Sequence, residues 1–231
     1  MRRFSILIFT ALALGWVAGL MGGVGPLPEP ASARIFTSFA ALQAERIGAI
    51  PPSGVAFVLG YEVAGDGGGG TFYYDAASQV PADAGTVLAP LAGPGRWLRV
   101  TGESVSPEMF GAKGDGVTDD YDAFLHLTAY VNGGGCNRIM LAPRKTYYWG
   151  RYVDGVRSGV TDIEFRDVAG LNLDGAGSTI LVKGGFSRSV SAVRTLQGLV
   201  LLRCRNATIR NLILDGNART KQPWRCAWLL L

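Results

Sequence analysis

Apolar and polar positions are arranged differently in successive stretches of the chain. From Phe4 to Val24 the residues are almost wholly apolar, with Arg2 and Arg3 before them and no further charge until Glu29. A positive start, an apolar run and the small-residue triplet Ala31-Ser32-Ala33, reached through Pro26, Pro28 and Pro30, predict an export leader over residues 1–33, cleaved after Ala33. The run is also long enough to span a bilayer, so an uncleaved anchor is the competing reading. Gly15, Gly19, Gly22, Gly23 and Gly25 weaken a permanent helix and favour cleavage.

Residues 34–104 read as a small β unit. The stretch from Arg34 to Ala44 carries apolar residues at helical spacing and predicts a short amphipathic helix. Val55–Tyr61, Thr71–Tyr74, Gly85–Leu88 and Arg96–Val100 are strand-length runs bounded by glycine and proline. Gly65-Asp66-Gly67-Gly68-Gly69-Gly70 is a loop; no Lys-Ser or Lys-Thr follows it and no helix opens after it, which argues against a phosphate-cradling loop.

Beyond Phe110 the pattern changes. Thr118 or Asp119 is placed to cap a helix in which Ala123, Phe124, Leu127, Tyr130 and Val131 share one face and Asp122, His126 and Ala129 another; Asn132 to Gly135 end it. Short apolar strands then alternate with Gly, Asn and Asp at 139–141, 146–148, 163–165, 171–173 and 179–182, and the stretch 199–217 repeats the theme. Leu171-Asn-Leu-Asp-Gly175 and Leu212-Ile-Leu-Asp-Gly216 echo one another 41 positions apart. With a strand between them, this predicts about two solenoid coils of roughly 20 residues each, with a β-sandwich left open as the rival.

Composition narrows the function classes. Hydrophobic residues at 48% and charged residues at 17% exclude a disordered chain. A net charge of +4, with Lys and Arg scattered, argues against nucleic acid as partner. Cys136, Cys204 and Cys226 are too few for a disulfide framework and fit no metal spacing; a Cys204–Cys226 bridge stays open in an oxidising compartment. With His126 the single histidine, no zinc site is legible, and His126 reads as a surface residue. No cofactor is expected.

Phe110-Gly-Ala-Lys-Gly-Asp-Gly-Val-Thr-Asp-Asp120, the helix and glycine cluster after it, and the Leu141–Tyr147 segment resemble the start of a pectate-lyase-like superfamily domain. Asn206-Ala-Thr-Ile-Arg-Asn-Leu-Ile-Leu-Asp-Gly-Asn217 is similar to the coil sequence of that family. The glycine-rich segment 65–74 and Gly95–Val100 resemble the small β module of tailspike-like members. Arg144-Lys145 and Tyr121 depart from the family pattern. The resemblance implies an all-β fold: the first coils of a right-handed parallel β-helix over 105–231, with an N-terminal capping helix, behind the β module at 34–104. It makes Asp115, Asp119 and Asp120 parts of the cap; Asp174 and Asp215, each before a glycine, read as turn residues, with a functional role as the alternative.

It further implies a secreted or periplasmic protein acting on an acidic polysaccharide as hydrolase or lyase, present here as an N-terminal part without its catalytic coils. A non-catalytic polysaccharide-binding or tailspike-like structural protein is the second reading, with a homotrimer as its implied assembly. Glycosidic hydrolysis takes two carboxyl groups across the bond, and no such pair is legible; Ca²⁺ would enter only with lyase chemistry, and no site for it is visible. With the leader cleaved, no membrane partner is expected. Tyr147, Tyr148, Trp149 and Tyr152 are the candidate sugar-stacking residues, with core packing as their ordinary alternative. Asn206-Ala-Thr208 fits a glycosylation triplet but reads as part of a coil.

Overall fold

A computed structural model describes residues 34–46, 54–150, 163–182, 197–215 and 227–230. The expected leader, Tyr152 and Cys226 lie outside them.

The first sheet contains Arg34–Phe36 (β1), Val55–Val58 (β2), Gly70–Asp75 (β3), Val87–Leu88 (β4) and Arg96–Arg99 (β5), in the order β1-β2-β3-β5-β4. β1 runs parallel to β2 and the other pairs are antiparallel. The helix expected from Arg34 onward is shorter, Phe39–Gln43 (α1), because the Ser38 hydroxyl accepts the Ala41 N–H at 3.3 Å and fixes its start; Ile35 and Phe36 belong to β1. Phe39 and Leu42 pack on Ala56, Val58, Phe72, Tyr74, Leu88 and Trp97.

The glycine-rich loop has two anchors. Asp66 accepts backbone N–H bonds from Tyr61, Glu62, Val63 and Gly68 at 2.8 to 3.0 Å. Partial burial opposes its charge, but these four donors outweigh it and hold the carboxyl below its ordinary value. Arg99, 7% exposed, donates to the carbonyls of Gly85, Gly69 and Gly68 and lies 4.6 Å from the Phe72 ring centre. Burial lowers its pKa to about 10, with the Asp83 charge acting the other way. A Cβ on Gly70 would stand 2.2 Å from Arg99 Nη1, so the glycine run leaves room for the guanidinium.

The second unit is a parallel β-helix. Its strands are Asp115–Asp119 (β6), Arg138–Met140 (β7), Thr146–Trp149 (β8), Ile163–Arg166 (β9), Asn172–Val182 (β10), Gln197–Leu202 (β11), Thr208–Asp215 (β12) and Ala227–Leu230 (β13). One parallel sheet has the order β12-β10-β8-β6 with β7 also on β10; the other is β13-β11-β9. Thr146 stacks on Thr179 and Thr179 on Ile213, so these turns take 33 and 34 residues rather than about 20. Leu173 and Thr179 share one strand, whose register shifts between Asp174 and Ser178, and Leu212 lies beside Ser178 instead of Leu171. The 41-residue echo is therefore not the coil repeat. Stacking of inward side chains sets that repeat: Ile139, Leu173 and Ile209 in one column, Tyr147, Ile180 and Leu214 in another.

Left-handed residues turn the corners and stack from coil to coil. Asp167 (φ 58°) lies at the level of Arg203 (φ 54°), and Gly170 (φ 67°) at that of Asn206 (φ 53°). Asn and Asp tolerate this region better than most residues with a Cβ, which accounts for polar punctuation between short strands.

The helix Tyr121–Asn132 (α2) buries Phe124, Leu127 and Val131 against the first turn, with the Phe124 ring edge-on to Tyr147 and Trp149. His126 and Ala129 are exposed. The helix starts later than expected. Thr118 donates to Asp115 at 2.7 Å, Asp119 accepts the N–H groups of Tyr121 and Gly150, and Asp120, at the cap position, turns its carboxylate back to Lys113 and Gly114 N–H.

Candidate functional site

The alternation that sends Ile139, Leu173 and Ile209 inward sends their neighbours outward. On the outer face of the first coils, Glu103, Ser104, Arg138, Met140, Asn172, Asp174 and Arg210 line a groove of about 320 Å³. β7, β10 and β12 supply five of these residues, and the register places Arg138 beside Asn172 and Met140 beside Asp174, with Arg210 on the other side of Asp174.

Two ion pairs span the groove. Arg138 Nη1 is 3.3 Å from Glu103 Oε2, and Arg210 Nε is 3.0 Å from Asp174 Oδ2. Asp174 is held from several sides: Asn211 Nδ2 and the Ala176 N–H each donate to its Oδ1 at 3.0 Å. The Asn211 amide, the Ala176 N–H and the Arg210 guanidinium keep its carboxyl below the usual range. Arg138 and Arg210 are 52% and 57% exposed, so both guanidinium groups are open to a ligand. The bond from Arg210 to Asp174 uses Nε, leaving its terminal nitrogens for a planar anion. A larger cavity, about 580 Å³, opens between α1 and the Ala82–Leu88 segment; its walls are mainly apolar, with Ser38, Gln43 and Glu62 as the longer polar contributors.

The four aromatics expected to stack on sugar do not act together. Tyr147 and Trp149 are fully buried in the β-helix core, because the strand period turns both inward. Tyr147 donates its hydroxyl to Glu108 at 2.5 Å, and Trp149 packs edge-on against Tyr121 and Phe124. Neither ring can meet a ligand from solvent. Tyr148 points outward, half-buried, between Asp119 and Leu181. Tyr152 lies outside the described residues.

Arg138, Asn172 and Arg210 were not singled out in the sequence, since only the coil register brings them together. A weak signal existed: Asn172-Leu-Asp174 and Arg210-Asn211 fall one turn apart once the turn length is known. Asp115 is held to a pKa of about 2 by the N–H groups of Thr118 and Val117 and the Thr118 hydroxyl, and works as a turn anchor. Cys136 and Cys204 carry free thiols near backbone carbonyls. Among the described residues no group of three or more His, Cys, Asp or Glu is placed to hold a metal ion, and no helix is long and apolar enough to cross a membrane.

Residues 36–102 match the family described as the phage tail protein small four-stranded beta-sheet domain. No curated protein matches the chain. Among solved structures, WceF of Pantoea stewartii, described as a glycan biofilm modifying enzyme with a bacteriophage tailspike-like parallel beta-helix fold, aligns with a TM-score of 0.54 at 20% identity, over 85% of this chain and 26% of that one. The tailspike protein of Acinetobacter baumannii phage AM24 aligns with a TM-score of 0.45 at 18% identity, over 79% of this chain and 30% of its own. Gp49 of the Acinetobacter baumannii bacteriophage Fri1, described as a capsular polysaccharide depolymerase, gives 0.45 at 16%, over 78% and 42%. The chain spans about a quarter of the length of WceF. With WceF it shares the tailspike-like parallel β-helix fold.

Proposed function

We propose that this chain is a tailspike-like polysaccharide-binding protein of the pectate-lyase-like superfamily, exported by its N-terminal leader, that takes an acidic glycan along the outer face of its first coils. The observation that carries this reading is the groove lined by Arg138, Asn172, Asp174 and Arg210. An extended polymer needs a long, regular, solvent-facing surface, and stacked coils present such a surface at a constant strand spacing. Arginine pairs planar carboxylates with two parallel hydrogen bonds, so the exposed Arg138 and Arg210 suit a uronic acid carboxylate. Catalysis by a longer form of the protein is the second reading, favoured by the enzymatic description of WceF. In that reading the described coils supply binding and the reacting carboxyl groups come from elsewhere.

The test is retention of the full chain on immobilised polygalacturonate beside a neutral glucan, with the Arg210→Ala variant in parallel. Retention on the acidic polymer that falls about tenfold in Arg210→Ala supports the reading, in line with the loss of a charge-assisted hydrogen-bonded pair. Equal retention of both proteins on both polymers overturns it. Release of new reducing ends or of unsaturated uronate would select the catalytic reading.

A further inference from the structure

Two arginines of the β-helix hold left-handed backbone at exposed corners: Arg144 (φ 57°), between β7 and β8, and Arg203 (φ 54°), just after β11. A residue with a Cβ is strained in this conformation, which glycine adopts freely. The two arginines have different neighbours. Arg203 lies beside Asp167 and makes two 2.6 Å bonds to its carboxylate, so the fold itself occupies that guanidinium. Arg144 donates its N–H to the Ala176 carbonyl at 3.3 Å, so the corner stacked on it holds an alanine instead of an acid. Among the described residues Arg144 has no ion-pair partner. Turning the chain at this corner therefore explains neither the long side chain nor its charge.

This corner adjoins the groove. Ala176 donates its own N–H to Asp174 Oδ1, which links the Arg144 backbone to the groove carboxylate through a single residue. Asn211, left-handed at φ 54°, stacks on the same turn, where a Cβ on Gly175 would stand 2.5 Å from the Asn211 carbonyl oxygen. Its amide reaches Asp174 at 3.0 Å. A short side chain on this corner thus already meets the groove, and arginine is longer. Asn172, Asp174 and Ala176 are alternate positions of β10, and Arg138, Arg210 and Arg144 stand beside them in turn. Two residues of a regular strand advance about 7 Å, so the three positive charges are spread along the strand direction.

We propose that Arg144 is a third anion-binding side chain of the groove, taking a carboxylate of the glycan where the polymer passes the corner. The inference rests on the glycan reading above and adds the extent of the surface, which continues from β7, β10 and β12 onto the corner after them. A polymer that carries its carboxylates at intervals can meet all three arginines together. A free uronic acid, with a single carboxylate, cannot.

Retention on polygalacturonate and thermal unfolding, both of the full chain, test it in Arg144→Gly and Arg203→Gly. Each substitution removes one arginine and relaxes one left-handed corner, so the two variants match in net charge and in backbone relief. Arg144→Gly is expected to lower retention about threefold to fivefold, the worth of an exposed charged contact, with a melting temperature equal to or above that of the unmodified chain. Arg203→Gly is expected to keep its retention. Equal retention of Arg144→Gly and the unmodified chain, or an equal loss in both variants, overturns the proposal and leaves the glycan reading standing. A lower melting temperature in Arg144→Gly would make the arginine a part of the fold and overturn the proposal as well. If the unmodified chain is not retained, the glycan reading itself fails and the third contact with it.

Discussion

Tyr147 donates its hydroxyl to Glu108 across 2.5 Å inside the molecule, linking β8 to the 3-10 turn at Pro107–Phe110. Both residues are buried, and Glu108 lies directly beneath the glycine loop: a Cβ on Gly67 would stand 3.2 Å from its Cγ. Burial, together with the Glu108 charge and hydrogen bond, pushes the Tyr147 phenol far above its ordinary value, so it stays a donor at any working pH. The second Glu108 oxygen is buried with no hydrogen-bond partner among the described residues, which makes Tyr147 the group on which that carboxyl depends. Tyr147→Phe therefore costs about 2–3 kcal/mol, the penalty for stranding a buried polar group, while Glu108→Gln, which keeps an acceptor for the phenol, costs less. Urea unfolding of the two variants checks the order; equal losses would contradict it.

The glycine run makes a steric prediction. A Cβ at Gly69 would sit 2.5 Å from the Val58 carbonyl oxygen and 2.8 Å from the Leu59 carbonyl carbon, both backbone atoms that cannot swing aside. Gly69→Ala is expected to lower stability by more than about 2 kcal/mol, whereas Gly65→Ala, with open space around the new carbon, pays only for its positive φ of 86°. Thermal unfolding of the two proteins distinguishes them.

Asp120 predicts a pH dependence. Burial raises its carboxyl from 3.8 to about 6, against the pull of the Lys113 and Gly114 N–H groups. The folded state thus binds a proton that the unfolded chain has already lost between these values. The stabilisation linked to that proton is full below pH about 4 and is lost as pH rises through about 6, a change of about 3 kcal/mol. Denaturation of the unmodified chain and of Asp120→Asn at several pH values should show their stability difference changing across this window and staying flat above it.

Asn206 predicts a backbone effect. Its φ of 53° is held at a corner stacked on Gly170. Asn206→Gly is expected to leave stability nearly unchanged and Asn206→Val to cost about 1–2 kcal/mol. If both behaved alike, the left-handed corner would not be what the asparagine serves.

The Arg203–Asp167 pair supplies a contrast to the groove. Both nitrogen-to-oxygen contacts are 2.6 Å, yet the two side chains are more than half exposed. Arg203→Ala is expected to leave the melting temperature and polygalacturonate retention where they were, because a solvated ion pair gains little over its hydrated parts. Reduced retention in this variant would move the glycan surface to the other sheet.

The residues 110–120 and 206–217 carried the fold in the sequence through their resemblance, and the parallel β-helix and the helix over Tyr121–Asn132 follow that reading. The turn length did not, because a short echo such as 171–175 with 212–216 records similar local turns without saying which strands are neighbours. Tyr147 and Trp149 likewise looked available as aromatics in a strand. Period-two geometry made Tyr148 their opposite, but which face met the core was open until the coils were stacked.

By itself the sequence determined what is local: apolar runs of strand length, glycines and asparagines where the backbone must turn left-handed, and an apolar stripe along α2 that needs a surface to cover. These follow from sterics and from the exclusion of apolar groups from water, which act over a few residues. Tertiary structure alone decided what meets across a coil: Arg138 beside Asn172, Arg210 against Asp174, and Tyr147 against Glu108. The first two depend on the register between strands 34 and 36 positions apart. Packing of the whole core sets that register, since a slip of one residue would turn every inward side chain out to solvent.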